Sequence, residues 1–142
     1  MGAYALTTSL APMLRRSSVL ALPPGVAPAG LALQTVGLGV RVWAMRTLGR
    51  SYSRTLRTEA GQDVIDTGPY RLVRHPGYLG SLLIWTGFAL TSASLPVVIL
   101  VGASIGNAYQ RRMAAEERLL RRELPQYADY CARTKKLIPL VW

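Results

Sequence analysis

The sequence contains one cysteine, Cys131, and one histidine, His75. A single cysteine cannot form a disulfide within the chain, and these two residues together provide too few ligands for a zinc site. A lone thiol close to basic residues is typical of an incidental cysteine rather than a catalytic one. These scarcities argue against a disulfide scaffold and against any cysteine-based metal centre, so we expect no metal.

Acidic residues are also scarce, with 7 Asp and Glu against 17 Lys and Arg, which gives a formal net charge of +10. An excess of basic residues can indicate nucleic-acid binding, but here they lie beside long apolar runs and are not interleaved with stacking aromatics. That placement is typical of segments that face anionic lipid headgroups. We therefore expect membrane lipids as partners and no nucleic acid.

Charge is missing altogether from residues 76–110, in a chain that is 50% hydrophobic and only 17% charged. This stretch is too long for one crossing of a hydrocarbon core of about 30 Å and long enough for two short ones. In its middle, Ser94 can cap a helix and Pro96 falls in the first turn of that helix. The pattern predicts a tight hairpin of helices at about 77–91 and 95–123, in which 95–110 is the buried part of the second helix and Pro125 ends it.

An earlier segment, 26–45, is apolar except for Gln34 and Arg41 and is also long enough to cross a bilayer. Arg41 lies close to the end of this segment, where its long side chain could carry the guanidinium out to the headgroups. The following residues, 46–76, are rich in arginine, which indicates a cytoplasmic location. Residues 1–24 are expected to form an interfacial or partly ordered lead-in.

The fold class predicted from these features is an all-α, polytopic integral membrane protein. We expect about three transmembrane helices, with spans at about 26–45, 77–91 and 95–110, in one domain of residues 25–142. The segments 46–76 and 111–142 are expected at the cytoplasmic face, the latter as an amphipathic extension, and the membrane is expected to be a bacterial inner membrane. Gly102 and Gly106, four residues apart, could pack closely against a neighbour and allow a homo-oligomer.

A hairpin returns its two polar ends to the same membrane face, so the residues that flank it should meet there. Tyr70, His75 and Tyr78 stand before it, and Arg112, Glu116 and Glu117 stand after it. Carboxylates, phenols, an imidazole and a guanidinium together suit a site where a polar cofactor meets an apolar substrate. Simpler interpretations remain open: Arg71 and Arg74 as lipid anchors, Glu117 as a solvated surface charge, and Tyr127 and Tyr130 as aromatic belt residues.

The motif residues 67–78, Thr-Gly-Pro-Tyr-Arg-Leu-Val-Arg-His-Pro-Gly-Tyr, precede the uncharged hairpin, and Arg112 and Glu116-Glu117 follow it. With Tyr127, Tyr130 and Ile138-Pro139 further on, this pattern resembles the isoprenylcysteine carboxyl methyltransferase family and its bacterial relatives over about residues 30–142. The resemblance implies an integral membrane methyltransferase that uses S-adenosyl-L-methionine without a Rossmann fold. The chain agrees in lacking a glycine-rich turn between a strand and a helix.

The resemblance also implies roles for particular residues. Arg112 matches the arginine that clamps the substrate carboxylate, one helical turn before the cofactor-binding carboxylate. The positions that match cofactor-binding residues are Val64, Ile65, Tyr70, His75, Pro76, Gly77, Tyr78 and Glu116.

The function expected from the resemblance is methyl transfer to a carboxylate of a lipidic or small hydrophobic substrate. An ionised acid needs no general base, whereas a phospholipid amine or a small thiol would need one, for which His75 or Glu117 would be candidates. The other alternative is a catalytically silent membrane scaffold of the same fold. Longer family members carry further membrane helices before the first span, where this chain has residues 1–24.

Overall fold

The structure, a computed structural model, describes residues 21–23, 25–49 and 64–138. In these ranges the regular structure is helical, and β-structure is limited to two isolated bridges. The all-α prediction is therefore confirmed. The predicted lead-in 1–24 lies almost wholly outside the described residues. The elements are α1 (Val26–Leu48), a 3-10 helix (Gly68–Arg71), α2 (Pro76–Thr91), α3 (Leu95–Glu123) and α4 (Tyr127–Arg133).

The three predicted spans coincide with helices. The segment 26–45 lies within α1, 77–91 matches α2, and 95–110 forms the first part of α3. None of the helices in the described ranges is both long enough and apolar enough to cross a membrane. The positions of the helices along the sequence are therefore as predicted.

The turn between α2 and α3 forms where the sequence predicts it, but by different contacts. Ser94 occupies the N-cap position of α3 and Pro96 lies in its first turn. The Ser94 side chain does not cap the helix, and its buried hydroxyl has no hydrogen-bond partner among the described residues. The chain reverses through Ala93 at φ 50°, whose carbonyl accepts a hydrogen bond from the Leu22 N–H at 2.8 Å.

Helices α1 and α2 approach each other through glycines. A Cβ atom added at Gly37 would lie 2.7 Å from the Gly80 carbonyl oxygen, and Gly30 and Gly87 face each other in the same way. Gly102 and Gly106 are not in such a contact among the described residues, since a Cβ added at either would meet nothing within 4 Å, and their packing against another molecule stays a prediction. Close backbone contact therefore fixes α2 against α1 rather than against α3.

Two apolar clusters complete the core of the described residues. Ala89, Val97 and Val101 join α2 to α3, and Leu124, Tyr127 and Tyr130 join the end of α3 to α4. Tyr127 and Tyr130 are each 3% exposed, so their interpretation as membrane-belt residues was wrong. Their phenols are desolvated, which raises the pKa of both groups above its ordinary value and keeps them neutral.

The segment after α4, which we call the C-terminal strap (residues 134–138), runs beside the residues that precede α2. The Arg74 N–H donates to the Lys135 carbonyl at 2.8 Å, and the His75 N–H donates to the Lys136 carbonyl at 3.1 Å. An isolated bridge between Val73 and Lys135 belongs to the same contact. The end of the described chain thereby holds the segment that carries the Arg-His-Pro motif.

Candidate active site

Two helices begin within the motif segment, each with a proline in its first turn. Pro69 opens the 3-10 helix Gly68–Arg71 and Pro76 opens α2, each at a position where the missing amide hydrogen does not matter. His75 is the N-cap residue of α2, and its side chain is buried, with 4% of its surface exposed. The imidazole therefore points into the protein rather than towards the headgroups.

Glu117 on α3 connects this motif to the other side of the hairpin. Its Oε1 accepts a hydrogen bond from Arg74 Nε at 2.9 Å and lies 3.1 Å from His75 Nε2. The Arg74 guanidinium also donates to the carbonyls of Cys131 and Thr134. Arg74 is thus bound inside the fold, and its interpretation as a lipid anchor was wrong.

The electrostatics of Glu117 follow from these contacts. Burial opposes ionisation of its carboxyl, but hydrogen bonds from His75 and Arg74 and the Arg74 charge outweigh burial and lower the pKa to about 2. The carboxylate is therefore ionised at neutral pH, and Arg74, His75 and, at 3.8 Å, Arg121 surround it. Glu117 is buried, so its interpretation as a solvated surface charge was wrong.

The neighbouring carboxylate, Glu116, points to a different partner. The Tyr78 hydroxyl donates to its Oε2 at 2.9 Å. The Tyr78 ring contacts the rings of His75 and Tyr109 edge-on, with centroids 5.6 Å and 5.2 Å apart. Arg112, one turn before Glu116, has an exposed side chain and interacts with the Tyr78 hydroxyl.

The remaining predicted cofactor residues have other neighbours. Tyr70 is buried, and its carbonyl accepts a hydrogen bond from the Tyr130 hydroxyl at 2.7 Å. Val64 packs on the cluster of Leu124, Tyr127 and Tyr130, and Ile65 is half-buried next to it. Pro76 is fully buried in the first turn of α2, and Gly77 follows it with its Cβ position open to space.

The structure brings both ends of the hairpin together, as the sequence predicts. His75 meets Glu117, and Tyr78 meets Glu116 and Arg112. The burial of Glu117 could have been found from the sequence, because it shares a helical stripe with Met113, Leu120 and Leu124. A carboxylate in an apolar stripe predicts a buried partner of opposite charge.

Arg41 is a further residue of this region that the sequence assigned to the headgroups. Its guanidinium turns inwards and donates to the Gly77 carbonyl at 3.2 Å and to the Ser81 hydroxyl. The expectation that it reaches the headgroups was therefore wrong. The sequence marks Arg41 as the single charged residue of an apolar helix. Such a side chain is expected either to extend to the membrane interface or to contact a polar partner.

Comparisons with known proteins point to one family. A family model described as the isoprenylcysteine carboxyl methyltransferase family matches residues 30–122. The nickel-cobalt-cadmium resistance protein NccN of Alcaligenes xylosoxydans xylosoxydans is 30% identical over 110 residues, which cover 76% of this chain and 50% of that protein. A probable protein-S-isoprenylcysteine O-methyltransferase of Oryza sativa subsp. indica is 27% identical over 97% of this chain and 76% of its own length.

A solved structure shares the fold. The eukaryotic intramembrane Ras methyltransferase, isoprenylcysteine carboxyl methyltransferase, superposes with a TM-score of 0.78 at 19% identity, over 99% of this chain and 50% of that one. The chain thus spans about half the length of that structure and of the resistance protein.

Proposed function

Since the chain belongs to the isoprenylcysteine carboxyl methyltransferase family, we propose that it is an integral membrane methyltransferase dependent on S-adenosyl-L-methionine. The acceptor is a carboxylate of a lipidic or small hydrophobic substrate. The observation that carries this proposal is the contact across the hairpin, where Tyr78 meets Glu116 and Arg112 beside His75.

The side chains at this contact suit the cofactor chemically. Glu116 offers a carboxylate to hydroxyl or ammonium donors, and the rings of His75 and Tyr78 offer aromatic edges and faces. Tyr70, Pro76, Gly77, Val64 and Ile65 are proposed as further cofactor contacts because they match the positions that bind the cofactor in the family. When bound, S-adenosyl-L-methionine supplies a methyl group on a sulfonium, which is a good leaving group. The protein therefore has only to bind and orient the cofactor and the substrate and to exclude water.

Arg112 has the properties of a substrate clamp. Its side chain is exposed on α3, one turn from Glu116, and contacts the Tyr78 hydroxyl. A guanidinium can bind a carboxylate through two parallel hydrogen bonds. One carboxylate oxygen would attack the methyl carbon while the carbon–sulfur bond breaks towards sulfur. The products are a methyl ester and S-adenosylhomocysteine, and no proton has to be removed.

The state of Glu117 favours this acceptor over an amine or a thiol. Those nucleophiles must lose a proton, and Glu117, with a pKa of about 2 and two bound partners, is a poor base. His75 Nε2 lies 3.1 Å from the same carboxylate, so this ring nitrogen already has a partner. A carboxylate acceptor requires neither group to act as a base.

The proposed arrangement in the membrane uses the three helices as short spans, at 26–45, 77–91 and 95–110, within one domain of residues 25–142. Segments 46–76 and 111–142 then lie at the cytoplasmic face of a bacterial inner membrane, since basic residues concentrate there. Family membership supports the membrane location. The open face at Gly102 and Gly106 supports self-association or contact with further helices.

The proposal is tested by methyl transfer from methyl-labelled S-adenosyl-L-methionine to a membrane extract, with the full chain purified in detergent. We expect label in the lipid fraction that mild base releases as methanol, as for a carboxyl ester. Transfer should be lost in Arg112→Ala and kept in Arg122→Ala, an exposed arginine near the end of the same helix. Base-stable label would indicate an amine or thiol acceptor, and no transfer with any extract would favour the silent scaffold.

A further inference from the structure

Arg41 places a charged side chain where the surrounding sequence is apolar. Arg41 is the only charged residue in the sequence 26–45, and Gln34 is the only residue there with a side-chain amide. Its Nη1 donates to the Gly77 carbonyl at 3.2 Å and to the Ser81 hydroxyl, which itself donates to the Gly77 carbonyl at 2.9 Å. Arg41, Ser81 and Gly77 thus form a closed polar group between α1 and α2.

These contacts end on the backbone of the motif. Gly77 lies in the first turn of α2, directly before Tyr78, whose hydroxyl binds Glu116. A guanidinium on the Gly77 carbonyl therefore fixes the backbone from which the Tyr78 side chain projects. The contact is possible because of Gly80, where an added Cβ would lie 2.7 Å from the Arg41 backbone nitrogen.

Helix packing alone does not require this arginine. The glycine contacts at Gly30, Gly37, Gly80 and Gly87 already bring α1 and α2 into backbone contact. Withdrawing a guanidinium from water costs free energy unless hydrogen bonds replace its hydration. The Arg41 guanidinium binds the Gly77 carbonyl, although the contact between α1 and α2 does not need a charge there. We take this as an indication that Arg41 has a role in the site.

We propose that Arg41 is a positioning residue of the active site, which orders the first turn of α2 and through it holds Tyr78 and Glu116 in the geometry that binds the cofactor. It acts through the Gly77 carbonyl and Ser81, without touching the reacting atoms. This inference rests on the proposed function, because its main measurement is cofactor binding.

The test is calorimetric titration of the full chain in detergent with S-adenosylhomocysteine. Arg41→Gln should weaken binding about tenfold, since it removes a charged donor from the motif carbonyl. Arg41→Lys should recover part of the affinity, because an ammonium can donate to the same carbonyl. Arg46→Gln, which removes an exposed charge five residues later on α1, should bind as the wild type does.

A double-variant cycle separates positioning from general stability. Ser81→Ala removes the shared partner, so adding Arg41→Gln to it should cost less affinity than Arg41→Gln costs alone. Gly37→Ala loosens the same two helices without touching the polar group. Equal loss of binding in Gly37→Ala and Arg41→Gln at equal loss of thermal stability, or strictly additive effects in the cycle, would overturn the inference.

A second measurement distinguishes failure of the proposed function from failure of the inference about Arg41. If the wild type bound no S-adenosylhomocysteine, amide hydrogen exchange would still report on the first turn of α2. We expect faster exchange at residues 78–81 in Arg41→Gln than in Arg46→Gln. Unchanged exchange there, or wild-type affinity in Arg41→Gln, would show that Arg41 does not position the motif.

Discussion

The imidazole of His75 and the carboxylate of Glu117 meet across the hairpin, with Nε2 of His75 3.1 Å from Oε1 of Glu117. The same oxygen accepts the hydrogen bond from Arg74 Nε. One carboxylate therefore joins two consecutive residues of the motif to α3. Glu116, its neighbour in sequence, accepts a hydrogen bond from the Tyr78 hydroxyl instead, so the two adjacent acids have different partners.

Glu117→Ala should destabilise the protein more than any other single acid removed from α3. It leaves Arg74 and His75 buried without their partner, and loss of one member of a buried ion pair costs about 3 kcal/mol or more. Glu117→Gln keeps an acceptor and should cost less. Thermal unfolding in detergent measures both, with Glu123→Gln at the exposed end of the same helix as the control. Equal melting temperatures for all three variants would contradict the structural role.

The contribution of Glu117 should depend on pH in a defined direction. Its pKa is about 2 in the folded protein against an ordinary value of 4.5, so its stabilisation is fully present above about pH 4.5 and is lost as the pH falls towards 2. The difference in stability between the wild type and Glu117→Gln should shrink as the pH falls below about 4.5. Acids common to both proteins cancel in this difference. A difference that is equal at pH 3 and pH 7 would contradict the lowered pKa.

Tyr78→Phe should weaken S-adenosylhomocysteine binding about fivefold, the loss expected when a hydrogen bond worth about 1 kcal/mol is removed. The variant keeps the ring contacts with His75 and Tyr109 but releases Glu116. Calorimetry on the full chain measures the change. Tyr109→Phe, which keeps its ring contact with Tyr78, is the control and should bind normally. Wild-type affinity in Tyr78→Phe would mean that the hydroxyl does not order Glu116 for the cofactor.

Gly37→Ala should destabilise the protein by about 1–3 kcal/mol, the usual cost of forcing an extra group into a close contact. The new methyl group would lie 2.7 Å from the Gly80 carbonyl oxygen and 2.8 Å from the Ile84 nitrogen. Gly39→Ala is the matched control on the same helix, where an added Cβ meets nothing within 4 Å. Alanine favours the helix there, so the control should be neutral or slightly more stable in thermal unfolding. A lower thermal stability for Gly39→Ala than for Gly37→Ala would contradict the packing of α1 on α2.

The sequence predicts the helices well because their signals are local. The uncharged stretch, Pro96 and Pro125 place the hairpin and the end of α3 within about a residue of their observed positions. The pairing of the motif with the Arg112 and Glu116 side of the hairpin follows from the same pattern. What stays a prediction is the role of each of these residues towards cofactor and substrate.

Arg41, Arg74 and Glu117 differ from their local expectation for one physical reason. The sequence favours headgroups for Arg41 and leaves headgroups for Arg74 and solvent for Glu117 open, because charged side chains are rarely buried alone. In the structure each is held by partners that are distant in sequence, such as the Gly77 carbonyl for Arg41 and the carbonyls of Cys131 and Thr134 for Arg74. Such partners cannot be identified from one helix at a time. The glycine contacts were missed for the same reason, since Gly30 and Gly37 become packing residues only opposite Gly80 and Gly87.

The most direct test of the central claim is the affinity of the purified full chain for S-adenosylhomocysteine, measured by calorimetry in detergent. The account predicts saturable binding by the wild type, binding at least about tenfold weaker in Glu116→Ala, and unchanged binding in Glu123→Ala. Absence of binding by the wild type, or the same affinity in Glu116→Ala as in the wild type, would contradict it.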